Sequence, residues 1–375
     1  MSNTAPHKIF ESTTLRKLVT RLRDDLNNND NTKCVLLFAY NGTGKTRLSM
    51  EFKDAGKKDG SRDTLYFNAY TEDLFHWDND LEGDKERHLH FNSDSRFFSG
   101  FEGLALEEKI FSYLECYADF DFKIDYENSF ISFSKGEEQN IKISRGEENI
   151  FIWCLFLAIC TLVIEGHVSY TWVKYIYIDD PISSLDDNNA IAVAVDLVNT
   201  LKNLSNNIKC IISSHHGLFF NVLWNESKRL GNKNRNTYFF YRSAQDKKYS
   251  LQKTDETPFF HHVAMLSELQ QAVESNQIYT YHFNALRSIM EKTAVFFGYK
   301  DFSSCLYDVD DEVLYDRALN LLSHGKYSIY APREMQNDNK ELFKAIFNAF
   351  LSRYQFKIPQ LTKKITSTNH PQEQS

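Results

Sequence analysis

The sequence predicts an α/β protein: a domain with a mainly parallel sheet, followed by a smaller all-helical domain. Three observations predict it. Short apolar strand patterns at Lys33–Ala39, Lys174–Ile178 and Ile208–Ser213 are separated by helical spacing, the alternation that favours parallel pairing. Each of these strands runs into a polar cluster: AYNGTGKT, DD and SHH. After about residue 258 the periodicity is helical only, which places a boundary near Thr254–Pro258 and domains at 1–258 and 259–375.

The elements follow in order. Lys33–Ala39 (KCVLLFA) is an unbroken apolar run, and a glycine-containing turn and a helix-like segment follow it. The apolar run from Ile150 to Ile164 is 15 residues long and contains Thr161. That falls short of the ~20 residues that span a bilayer, so a buried helix is expected. Asn188–Asn203 is amphipathic, with Ile191, Val195, Leu197, Val198 and Leu201 assigned to its core face. Two further helices are expected at His261–Ser275 and Gln277–Phe297. The second has a core stripe of Phe283, Leu286, Met290, Ala294 and Phe297. Another apolar helix, Tyr315–Leu322, precedes His324 and the terminator Gly325, and the polar tail 365–375 is expected to fray.

Composition narrows the function. With 42% apolar and 25% charged residues the chain is a folded globular protein. Its net charge of −8 argues against a protein that coats DNA. Basic residues are concentrated locally, eight against two acidic in 226–253 and seven against three in 333–364, while 72–109 is acidic. The six cysteines have no CxxC or zinc-finger spacing, and MSNTAPHKIFE carries no export pattern. A cytoplasmic location without a membrane partner is expected.

Residues 39–46 match the phosphate-loop pattern GxxxxGK[ST] at Gly44, Lys45 and Thr46, with Ala39 at the first glycine position. The backbone of Asn41, Gly42, Thr43, Gly44 and Lys45, continuing to Arg47, can wrap phosphate oxygens at a helix N-terminus. Lys45 would bridge the β- and γ-phosphates, and the Thr46 hydroxyl would ligate Mg²⁺. Tyr175–Asp180 (YIYIDD) fits a Walker B strand: Asp179 for Mg²⁺, and Asp180 to orient or deprotonate the attacking water. ISRGE (143–147) resembles the ABC signature, in which Ser144, Gly146 and Glu147 would contact nucleotide. Ser184-Leu185-Asp186 matches the D-loop, and His215 the switch histidine. Five elements in this order define an ABC-type ATPase using ATP or GTP with Mg²⁺. In such folds signature and phosphate loop meet across protomers, so a homodimer or higher homo-oligomer is expected. About 96 residues lie between Thr46 and Ile143, too few for the coiled-coil arm of an SMC-like protein.

In the second domain Arg287 and Glu291 are four apart on one helix, and His324 lies at an expected helix C-terminus. Glu, His and Arg suffice for RNA cleavage without a metal, through a base, an acid and a cation for the phosphorane. From the residues alone, a surface ion pair and a capping histidine explain the pattern equally well.

Five stretches resemble the PrrC-type bacterial anticodon nucleases: FAYNGTGKTRLS (38–49), FNAYTEDLFHWDNDL (67–81), ISRGEENIFIW (143–153), YIYIDDPISSLDDNNAIAVA (175–194) and YHFNALRSIMEKTAVFFGY (281–299). The resemblance implies an ABC-type NTPase joined to a C-terminal ribonuclease that cuts tRNA in the anticodon loop. Its catalytic Arg, Glu and His match Arg287, Glu291 and His324. It further implies tRNA-Lys as substrate, cut next to the wobble base, and a type I restriction-modification complex as the silencing partner that a phage disables. Two other readings compete. One is an ABC-type sensor or scaffold that regulates a separate effector. The other is an ATPase subunit of a DNA-acting defence complex, for which Asp308, Asp310, Asp311 and Glu312 would be the candidate carboxylates.

Overall fold

Cys34–Phe38, Tyr175–Asp179 and Lys209–Ser214 pair in parallel at the centre of a seven-stranded sheet. They are seen in a computed structural model that describes residues 9–28, 32–57, 61–68, 74–78, 87–98, 106–181, 187–204, 207–230, 235–242, 248–254, 260–306 and 334–354. The chain divides into two units, Met1–Pro258 and Phe259–Ser375.

The first unit opens with β1 (Ile9–Ser12), α1 (Leu15–Asn27), β2 (Cys34–Phe38), α2 (Lys45–Ala55) and β3 (Thr64–Asn68). It continues through β4 (Phe75–Trp77), β5 (Leu89–Phe91), α3 (Leu106–Leu114), β6 (Asp121–Asp125), β7 (Phe130–Lys135) and β8 (Glu138–Gln139). Next come α4 (Arg145–Ile164), β9 (Tyr175–Asp179), α5 (Asp187–Leu201), β10 (Lys209–Ser214), α6 (Gly217–Glu226), β11 (Arg235–Arg242) and β12 (Tyr249–Lys253).

The main sheet runs β1-β12-β11-β2-β10-β9-β3. Strands β11, β2, β10, β9 and β3 are parallel, and β12 and β1 form an antiparallel edge. Register sets Ser213 beside both Asp179 and Leu37, and Ser214 beside Phe38. The C-terminal ends of β2, β9 and β10 therefore finish level, which is where open α/β sheets gather ligand-binding loops.

A second, antiparallel sheet has the order β4-β5-β7-β6, with β8 on β7. Between it and the main sheet lies α4. Phe67 of β3 packs on Trp153 and Phe156, while Phe122 and Phe133 of the second sheet pack on Phe151. A helix covered on opposite sides must be apolar all round. That accounts for a segment long and apolar enough to cross a membrane, of which 78% is buried inside the protein.

On α5 the buried face is Ala190, Val193, Ala194, Leu197, Val198 and Leu201. Ile191, assigned to the core from sequence, is instead exposed. The small residues at 190, 193 and 194 already fill the i, i+3, i+4 spacing that leads to Leu197, and Ile191 stands about 100° away from Ala190 around the helix.

The described residues of the second unit form α7 (Phe260–Glu274), α8 (Thr280–Phe297), a 3₁₀ turn at Phe302–Leu306 and α9 (Asn337–Arg353). Leu266, Leu269, Phe283, Leu286, Met290, Phe343, Phe347 and Phe350 are central to their shared core. Phe283, Leu286, Met290 and Ala294 lie in that core as expected, but Phe297 is 52% exposed. The helix ends at Phe297, and Gly298, left-handed at φ +72°, turns the chain there. His282 is buried, and its Nδ1 accepts the Tyr279 N–H at 3.0 Å. Burial pushes its pKa down to about 3, so the ring is a neutral helix cap. Tyr315–Leu322, His324, Gly325 and the tail 365–375 lie outside the described residues.

Candidate functional site

The phosphate loop leaves β2 at Phe38 and enters α2 at Lys45. Ala39, at the position of the pattern's first glycine, is buried and continues the strand: its N–H donates to the Ser214 carbonyl at 3.0 Å. Nothing at that position requires a left-handed backbone. Gly42 and Gly44 do adopt one, at φ +80° and +95°. Gly44 caps α2 without a side-chain hydrogen bond, which leaves the first-turn N–H groups directed into the loop. Asn41, Gly42 and Arg47 are exposed, and Thr43 is held by its hydroxyl to the Tyr40 carbonyl at 2.8 Å.

The parallel register brings Asp179, Asp180 and His215 to Lys45. The Lys45 ammonium hydrogen-bonds Asp180 Oδ2 and lies 3.4 Å from Asp179 Oδ1. Asp179 accepts the Ser213 hydroxyl at 2.6 Å, and its other oxygen lies 3.1 Å from Ser49 Oγ. Ser49 is in turn 2.8 Å from the Tyr66 hydroxyl, whose pKa burial and the Asp179 charge raise to about 12. Asp180 is left-handed at φ +58°, with its N–H donating to the Ser213 carbonyl at 2.8 Å. Its carboxylate accepts the Ser214 hydroxyl at 3.2 Å and the His215 N–H at 3.1 Å, and lies 2.5 Å from His215 Nδ1.

Burial alone would raise the Asp180 pKa. Hydrogen bonds from His215 and Lys45, with the charge of Lys45, outweigh it and bring the pKa to about 2. In this arrangement Asp180 is ionised at neutral pH and too weak a base to take a proton from water. Loosening the Lys45 and His215 contacts would raise its basicity.

The donor set fits a magnesium nucleotide. An uncapped helix N-terminus with two left-handed glycines offers N–H groups to phosphates, and Lys45 offers a charge. The Thr46 hydroxyl has no protein partner among the described residues, which suits a metal ligand beside Asp179. Sequence reasoning did not find Ser49, Tyr66, Ser213 or Ser214. The consecutive serines that end β10 were the one signal available.

Ser144 and Glu147 form a capping box on α4. Ser144 Oγ accepts the Glu147 N–H, and Glu147 accepts the Ser144 N–H at 2.8 Å. Gly146 sits in that first turn with open space around it. One residue on, buried Glu148 accepts the Trp77 indole N–H at 3.0 Å and ties this helix to β4. Asp186 lies outside the described residues.

In the second unit Arg287 Nε donates to Glu291 Oε1 at 2.8 Å, and its guanidinium lies 4.9 Å from the centre of the Phe302 ring. The Arg287 side chain is mostly covered, while the Glu291 carboxylate is open to solvent. The structure therefore brings together the two members of the sequence-predicted trio that it describes.

Sheet order, phosphate loop and paired carboxylates define a P-loop ATPase domain. A family described as an AAA domain matches residues 108–352. The anticodon nuclease of Escherichia coli is 33% identical over 355 residues, spanning 84% of this chain and 88% of that protein. The chain belongs to the AAA-domain family and to the family of that anticodon nuclease. Among solved structures, an Smc head bound to the C-winged helix domain of ScpA aligns with a TM-score of 0.31 and 13% identity, over 59% of this chain and 90% of that one.

Proposed function

We propose that this protein is an NTP-controlled anticodon nuclease of antiphage defence. The observation that carries the reading is the Arg287–Glu291 pair, held by Phe302 with its carboxylate open, in a chain 33% identical to a protein named anticodon nuclease. Glu291 and His324 divide the roles of base and acid. The base takes the ribose 2′-OH proton, the 2′-oxygen attacks the adjacent phosphorus, and the acid returns a proton to the departing 5′-oxygen. Arg287 stabilises the charge on the phosphorane. The products are a 2′,3′-cyclic phosphate and a 5′-OH, with no metal in the chemistry. The substrate is tRNA, with tRNA-Lys the species that the family resemblance favours.

ATP or GTP with Mg²⁺ supplies a hydrolysable phosphoanhydride at the first unit. Lys45 and the N–H groups of 41–47 hold its phosphates, and Thr46 and Asp179 hold its metal. Ser144, Gly146 and Glu147 act in trans in a homodimer, with Asp186 at the same interface. A type I restriction-modification complex keeps the nuclease silent.

The test is purified protein incubated with total tRNA in EDTA, under conditions that need no NTP hydrolysis, with the new RNA ends sequenced. Cleavage within one anticodon loop, leaving 5′-OH ends, is expected. Ends carrying 5′-phosphate, or cleavage of a substrate with a 2′-deoxy nucleotide at the cut, would refute the chemistry.

A further inference from the structure

The last turn of α8 leaves apolar side chains in solvent. Val295 is 81% exposed, Phe296 85% and Phe297 52%, with Tyr299 just beyond them. Four of the eight exposed large hydrophobic residues among those described fall in these five positions. Isolated exposed side chains are ordinary; a contiguous group on one turn marks a contact surface. The rings are also ordered. Phe297 stacks on Tyr299 at 5.8 Å with planes 18° apart, and leans on Tyr354 at 5.3 Å. Phe296 meets Phe297 edge-on at 5.4 Å. Tyr354 itself is nearly buried and anchors the row to α9.

Among the described residues the surrounding charge is mostly positive. Lys292 lies one turn before Phe296 on the same helix face, Lys300 follows Tyr299, and Arg353 adjoins Tyr354. Lys292 is exposed to solvent, and partial burial lowers its pKa. Neither Lys292 nor Lys300 has a carboxylate partner among the described residues. The acids nearby are Asp301, which accepts from Ser303 and Ser304, and Glu291, which is paired with Arg287. Val295 stands one turn beyond Glu291, which itself stands one turn beyond Arg287. Phe296 is about 7.5 Å along the axis from Glu291 and about 140° around the helix from it.

We infer that Phe296, Phe297 and Tyr299 are a stacking platform for unpaired RNA bases a few nucleotides from the cut, with Lys292, Lys300 and Arg353 placed to take the flanking phosphates. The inference rests on reading α8 as the nuclease helix. Aromatic faces rimmed by cations suit single-stranded loop RNA, whose splayed bases stack without regard to identity. A paired duplex hides those faces. The platform therefore selects a loop over a stem at the C-terminal end of the helix that carries Arg287 and Glu291.

Phe296 is so exposed that its replacement leaves the core untouched. The full chain and its Phe296→Ala and Phe296→Trp variants should be titrated with a stem–loop RNA and with a fully paired duplex of the same composition. Phe296→Ala should weaken stem–loop binding about 5- to 100-fold and leave duplex binding unchanged. Phe296→Trp should restore binding, and its added fluorescence should be quenched by the stem–loop alone. Equal stem–loop affinity in wild type and Phe296→Ala would overturn the platform. So would a change confined to sedimentation, which would make the patch a contact between protein copies. Cleavage assays with Arg287→Ala and Glu291→Ala separate the two failures. If those variants lose cleavage while Phe296→Ala binds and cuts normally, only the platform falls. If they cut normally, the reading of α8 falls with it.

Discussion

The two candidate sites hold their charges in opposite ways. At the phosphate loop, Lys45, Asp179 and Asp180 are buried, and hydroxyls from one strand and one helix engage the carboxylates. On α8 the Glu291 carboxylate faces water, and its ion pair with Arg287 runs along the helix. A buried network in low dielectric rests in one state and opens only when another charge competes for its members. A half-exposed pair costs little to rearrange and is open to a large substrate. The comparison suggests a tight switch in one unit and an accessible tool in the other.

The largest effect should fall on the exposed pair and appear in catalysis alone. Glu291→Ala should lower tRNA cleavage ~10²–10⁴-fold, as should His324→Ala, with nucleotide binding unchanged. Single-turnover cleavage of tRNA alongside nucleotide titration checks this, and full activity in Glu291→Ala breaks the contrast at once. Lys45→Ala should act in the opposite sense, on folding as well as binding. It strands two buried carboxylates, for a loss of about 3–5 kcal/mol in urea unfolding and of nucleotide-dependent assembly. A stable Lys45→Ala protein would mean that water reaches the site freely.

Asp180→Asn sharpens the same point. NTP hydrolysis should slow while nucleotide affinity stays near normal, since Lys45 and Asp179 carry the binding. The folded-state pKa of Asp180, about 2, lies below the ordinary 3.8, so its ionised form stabilises the fold. That contribution, about 2 kcal/mol, is complete above pH ~4 and disappears as the pH falls through 2. The stability gap between wild type and Asp180→Asn should close over that interval, and a constant gap would contradict the pairing. The smallest effect should be Arg287→Ala on stability, a few tenths of a kcal/mol, in a variant that has lost most cleavage.

How legible each site was in the sequence follows from its geometry. The phosphate loop and its helix are consecutive residues, so AYNGTGKT could be read directly. Apolar strands buried on both faces stand out equally well, which is why β2, β9 and β10 were found within a residue or two of their ends. The carboxylate partners Ser49, Ser213 and Ser214 were not found, because the packing of α2 and the strand register bring them together and no local spacing records it. The antiparallel sheet was missed because its strands are two to six residues long and carry charged residues on one face. Phe297 was assigned to the core because periodicity continues to the helix end, whereas the packing stops a turn earlier. That error concealed the exposed aromatic row.

The strand order of the main sheet also sets a timetable for biosynthesis. β2 carries the phosphate loop but leaves the ribosome long before its neighbours, which begin at Lys209 and Arg235. Until those strands emerge, β2 lacks its partners, a slow, non-local assembly that invites chaperone binding. α8 is translated only after the last strand of that sheet. If α8 cuts tRNA, every strand of the nucleotide-binding sheet is translated before the cutting helix.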